Sequence, residues 1–125
     1  MKRTRRPAAL RRWAIVGLYL AAIFVQSALP SAVHTSFLPG LDKLLHALAY
    51  GLLAALWCRA LATWPLEGRP AAAIAAAAVI LAALYGLSDE IHQAFVPGRM
   101  ADPWDWMADG FGAAIGAAAW AVMLN

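Results

Sequence analysis

Charge is scarce in this chain, and cysteine is nearly absent. Only 14% of the residues are charged and 63% are hydrophobic, with a mean hydropathy of +0.64. Those values lie outside the range of ordinary soluble domains. The single cysteine, Cys58, excludes an intrachain disulfide and any cysteine-based metal site. A polar face is missing from residues 71–87 (AAAIAAAAVILAALYGL), and a soluble bundle needs one on every helix. A basic stripe with interleaved aromatics is missing too, which excludes nucleic acid as a partner. There is neither an internal repeat nor a low-complexity linker, and 125 residues make one domain.

What fills the chain is apolar sequence in stretches of about 20 residues, the length that crosses a bilayer as a helix. Four such stretches occur, at residues 13–29, 44–64, 71–87 and 106–124. The expected fold is all-α, a four-helix transmembrane bundle over residues 13–125 behind a basic cytoplasmic tail, residues 1–12. A basic start before an apolar core also describes a signal peptide. No clean small-x-small cleavage site follows, however, and the apolar stretch outlasts the usual signal core. Residues 30–41 read as a loop rich in turn formers. Asp42 is placed to cap the second helix, VPGR (residues 96–99) is a turn signal, and Pro103 suits the first turn of the fourth helix. Cys58 reads as a small buried hydrophobe. Trp13, Trp104 and Trp106 suit membrane boundaries, as do His34 and His92 as interfacial polar residues.

Topology follows from where the charges fall. Lys2, Arg3, Arg5, Arg6, Arg11, Arg12, Arg59 and Arg69 flank one side against Glu67 alone. The other side holds Lys43 and Arg99 against Asp42, Asp89, Glu90, Asp102, Asp105 and Asp109. Basic flanks stay cytoplasmic, so both termini are expected inside and the acidic clusters outside.

Those clusters share helix faces. Asp42, His46 and Tyr50 are spaced four apart; so are Tyr85, Asp89 and Gln93, with Glu90 alongside, and so are Asp105 and Asp109. Residues four apart lie one above the other on a helix. With alternating spans, three helices should present polar stripes at one depth, forming a pocket. Gly112 and Gly116 continue the last stripe as a small-x-x-x-small pattern, which lets a neighbouring helix approach closely. That neighbour is either in this chain or in a second copy, as in a homo-oligomer.

Three segments also resemble the VanZ-like family of small, mostly four-span bacterial membrane proteins: DKLLHALAYG (residues 42–51), YGLSDEIHQAFVPGR (85–99) and DWMADGFGAAIG (105–116). They run in the family's order over roughly residues 13–124. Asp109 departs from the pattern, standing where many members have Asn. The resemblance implies a multi-pass protein of the bacterial cytoplasmic membrane. It also implies a link to resistance against teicoplanin, a lipid-tailed glycopeptide, with no assigned molecular activity.

The expected ligand-binding set is Asp42, Lys43, His46, Tyr50, Asp89, Glu90, Gln93, Arg99, Asp105 and Asp109. His46, Glu90 and Asp105 are the candidates for acid–base catalysis, with Asp42 or another helix's carboxylate orienting the imidazole. Arg99 suits a bidentate clamp on an anionic head, with Lys43 adding a point charge. Six acids against two bases leave surplus negative charge. A divalent ion on Asp89, Glu90, Asp105, Asp109 and His46 or His92 would absorb it, yet no metal-binding spacing such as H-E-x-x-H is present. Neither metal nor cofactor is therefore expected. Ser88 lacks the glycine elbow of a nucleophile. Three readings stay open: a binding protein for a lipid-tailed or cell-envelope ligand, a hydrolase or transferase on lipid-linked substrates, and a structural subunit whose polar groups only neutralise one another.

Overall fold

The computed structural model describes residues 2–29 and 40–124. Four α-helices make up the described residues, without a strand: α1 (Lys2–Ala28), α2 (Leu41–Leu61), α3 (Ala71–Gln93) and α4 (Pro103–Ala119). A five-residue π turn, Trp120–Leu124, continues α4. Three helices are long and apolar enough to cross a membrane: Arg6–Ala28 within α1, then α2 and α3. The fourth apolar stretch divides into the 17-residue α4 and the π turn. The loop expected at residues 30–41 lies mostly outside the described residues, and His34 with it.

The helix ends follow local chemistry. Residues 2–12, expected as a tail, are the opening turns of α1, with Pro7 inside the helix. The α2 N-cap is Gly40 at φ 78°, without a side-chain cap. Asp42 therefore does not cap α2, as expected from sequence; it sits in the first turn, where a carboxylate favours the helix dipole. The turn between α3 and α4 places Gly98 at φ 77°, and Arg99 N–H donates to the Val96 carbonyl at 3.1 Å. A proline followed by a positive-φ glycine is what such a turn demands. Asp102 caps α4, accepting from Trp104 N–H at 2.9 Å, and Pro103 occupies the first turn as expected.

Large apolar side chains face outward, among them Leu44, Leu48, Leu52, Ile80, Leu84, Ile91, Phe111 and Ile115. The interior is built largely of small ones, including Ala54, Ala78, Ala82, Ala113 and Ala117, with Cys58 buried among them as expected. That distribution suits a lipid surround, where helices gain by close backbone approach rather than by hiding leucines. The packing is tightest between α2 and α4, then between α3 and α4, while α1 leans more lightly on α2 and α3. Two tyrosines tie α1 down: Tyr19 donates to the Ala49 carbonyl and Tyr85 to the Leu20 carbonyl, each at 2.7 Å.

Candidate functional site

Glycine brings α4 onto α2. A Cβ added at Gly112 would lie 2.0 Å from the Ala47 carbonyl oxygen, and one at Gly116 would lie 2.0 Å from that of Gly51. Both glycines are thus taken by α2 of the same chain. Of the two neighbours the pattern allows, the one seen at these glycines is in this chain. Asp109 sits one turn before Gly112, so the same approach presses its carboxylate against His46.

The outer layer of the site is organised by Lys43. Its ammonium group reaches Asp42, Asp102 and Asp105, each at 2.7 Å. Asp105 and Asp102 come from α4 and its cap, so this cluster staples the start of α2 to the start of α4. The lysine holds the Asp102 carboxyl below the usual carboxylate range, helped by the Trp104 N–H. All three ammonium protons are engaged, which leaves Lys43 no free donor for an anionic head.

Deeper in, the geometry changes. His46 Nδ1 lies 2.6 Å from Asp109 Oδ1, and Nε2 lies 3.7 Å from Asp105 Oδ2. An ionised Asp109 accepts from Nδ1–H, fixing the ring and its tautomer. Tyr50 Oη donates to Asp89 Oδ2 at 3.5 Å, and Asp102 N–H donates to Glu90 Oε2 at 2.9 Å. Asp89, Glu90, Asp105 and Asp109 are all buried. Two of their oxygens, Glu90 Oε1 and Asp109 Oδ2, are buried without a hydrogen-bond partner among the described residues. Leaving such an atom unsatisfied costs about 1–3 kcal/mol, more for a charge.

Beside this layer an open cleft of about 440 Å³ separates α1 from α2 and α3. Ala22, Ile23, Leu45 and Ala49 form apolar wall, and His46, Tyr50, Asp89 and Gln26 line the polar part. The light packing of α1 leaves this gap, and the Tyr19 hydrogen bond fixes its edge.

Eight of the expected residues therefore gather: Asp42, Lys43, His46, Tyr50, Asp89, Glu90, Asp105 and Asp109. Gln93 and Arg99 turn to the end of α1 instead. Gln93 Nε2 donates to Ser27 Oγ and Arg99 Nη2 to the Ser27 carbonyl, each at 3.4 Å. Arg99 and Lys43 thus contact different partners rather than a common one. Ser88 donates to the Tyr85 carbonyl within its own helix, His92 stacks on Phe24, and the Trp106 indole donates to the Ala83 carbonyl. Sequence reasoning left Asp102, Tyr19 and Gly86 out of the site. For Asp102 the signal was Asp-Pro at a helix start, the pattern of a cap. For Tyr19 it was a phenol hydroxyl in mid-span, which needs a partner. A Cβ at Gly86 would come 2.9 Å from Asp109 Oδ2, and no sequence pattern marked that contact.

No curated protein and no solved structure matches the chain. One family model does, VanZ/LLP1, over residues 6–124, which is nearly the whole length. With four α-helices among the described residues, three of them long and apolar enough to span a bilayer, and that match along them, the chain belongs to the VanZ-like family of membrane proteins.

Proposed function

We propose that this protein is a membrane-embedded binding protein of the bacterial cytoplasmic membrane. It takes a lipid-tailed or cell-envelope ligand at the outer leaflet and through it alters susceptibility to teicoplanin-type glycopeptides. The observation that carries the reading is the cleft between α1 and α2. Its volume of about 440 Å³ suits a small amphipathic group. Its apolar wall suits an acyl chain, and His46, Tyr50 and Asp89 stand ready for the polar end. With Lys43 engaged by three aspartates, the polar end is better matched by hydroxyl and amine donors than by phosphate. The placement of the cleft on the outer side rests on charge: Arg6, Arg11, Arg12, Arg59 and Arg69 lie toward the other end of the bundle.

The test is Leu45→Trp, which fills the cleft, beside Asp89→Asn, with membrane abundance and teicoplanin susceptibility scored together. Normal abundance with a lost phenotype is expected. A phenotype that survives a filled cleft would overturn the reading.

A hydrolase or transferase on lipid-linked substrates has one observation in its favour. His46 lies on the cleft wall with its Nδ1 fixed by Asp109, the arrangement of an oriented general base. Turnover of a labelled lipid-linked precursor in reconstituted vesicles, abolished by Glu90→Gln, would establish it. Absence of turnover in folded protein would leave binding as the function.

A further inference from the structure

We infer that a divalent transition-metal cation binds between α2, α3 and α4, held by His46, Glu90 and Asp109. Each of these residues offers one donor atom, and the three donors lie within 4.8 Å of one another. An ion bound at about 2.0–2.2 Å per donor would draw the three somewhat closer together. The inference goes beyond the ligand reading above and stands without it.

The decisive observation is the pair of orphaned oxygens. Glu90 is 5% exposed and Asp109 is 0% exposed, and each carries one buried carboxylate oxygen without a partner. The other oxygen of each is already occupied: Glu90 Oε2 by the Asp102 N–H, and Asp109 Oδ1 by His46. Asp109 Oδ2 faces Gly86, the residue one helical turn before Glu90 on α3, so it lies on the Glu90 side of α4. Two carboxylates and a neutral imidazole carry the charge that one divalent ion neutralises.

A second acidic group, Asp42, Asp102 and Asp105, has similar spacing but is a poor candidate. Lys43 Nζ already stands among its oxygens at 2.7 Å from each, so its cation is built in. Lys43 is drawn wholly into that group and makes no contact with Glu90 or Asp109 among the described residues. The inner group has no lysine or arginine paired with it among the described residues.

The donor set indicates the class of ion. Imidazole favours zinc, iron, nickel and copper, while carboxylates also accept manganese. Magnesium prefers oxygen ligands and keeps its water, which a nitrogen donor does not suit. Three protein donors leave at least one coordination position for water or for a ligand. His46 belongs both to this group and to the cleft wall, so that position lies beside the cleft. With Nδ1–H of His46 held by Asp109, Nε2 is the nitrogen free to ligate, and the Asp102 N–H on Glu90 is an outer support that orients that ligand.

The full chain, purified in detergent, stripped with chelator and re-equilibrated with zinc or manganese chloride, provides the test. Bound metal is measured by mass spectrometry and thermal unfolding is followed with and without metal. One ion per chain and a metal-dependent rise in Tm are expected. Glu90→Gln and the near-isosteric Asp109→Asn should weaken binding by roughly 100-fold, while Asp42→Asn keeps it. Glu90→Gln decides the matter if Asp109→Asn gives no folded protein. A cobalt-loaded sample adds a visible spectrum that shifts in Glu90→Gln only if that residue is a ligand. Metal no higher than in the buffer blank would overturn the inference and leave a proton-sharing carboxylate network. Retention unchanged in Glu90→Gln would overturn it as well.

Discussion

Replacing Gly112 by alanine tests the helix contact on which the site rests. The new methyl group would meet the Ala47 carbonyl oxygen at 2.0 Å and the Ala47 Cα at 2.5 Å. Both are backbone atoms, so no side chain can swing aside. Ordinary contact begins near 3.4 Å, and α2 and α4 must therefore part by about 1.4 Å locally. Forcing one extra carbon into a packed interior costs typically about 1–3 kcal/mol. A backbone-to-backbone clash belongs at the upper end, about 3 kcal/mol, which reduces the folded-to-unfolded ratio roughly a hundredfold. The Gly116 contact on Gly51 and the 2.6 Å pair of His46 and Asp109 lie to either side and would loosen together. Reversible unfolding by SDS in mixed micelles reads the change, with Gly110→Ala as the reference. Gly110 has nothing within 4 Å, so its alanine should be neutral or stabilising by up to about 1 kcal/mol. If Gly112→Ala proves as stable as Gly110→Ala, the α2–α4 approach is wrong.

Lys43→Met removes the cation shared by Asp42, Asp102 and Asp105, and should lower stability at neutral pH. Asp102 has its folded pKa depressed, so its contribution is present above the ordinary carboxylate value and is lost as pH falls below it. The gap between parent and Lys43→Met should therefore narrow below about pH 4, as unfolding curves across pH will show. A reporter fused at Pro97, in the turn between α3 and α4, should read as outside the cytoplasm; a cytoplasmic reading would invert the proposed orientation. Cys58 is fully buried, so maleimide should label it in SDS and leave it nearly untouched in the folded protein, as mass spectrometry can measure.

The helices and the polar stripes were legible because both depend on local periodicity. Apolar runs of membrane-spanning length marked the elements, and spacings of four placed His46 beside Tyr50 and Asp105 beside Asp109 on common faces. Their convergence was legible only through alternating spans, which bring three helix ends to one side. Finer features needed the third dimension. Gly112 and Gly116 signalled a close approach, but only the structure identifies Ala47 and Gly51 as what they meet. Arg99 lay in a plausible place for a clamp, yet the turn at Gly98 directs it to the α1 end, a matter of backbone conformation rather than residue type. The cap of α2 was misread because Asp42 has cap chemistry, while Gly40 alone takes the left-handed conformation that precedes this helix. The inner group of His46, Glu90 and Asp109 has no linear spacing to detect, since its members come from three helices.

The central claim is that α2 and α4 share one buried polar centre, and a double-mutant cycle across His46 and Asp109 tests it most directly. His46→Ala, Asp109→Ala and the pair would be compared with the parent by reversible SDS unfolding. Residues in contact at 2.6 Å should show a coupling energy of about 0.5–3 kcal/mol, with the double variant losing less than the two single losses combined. Strict additivity would contradict the account.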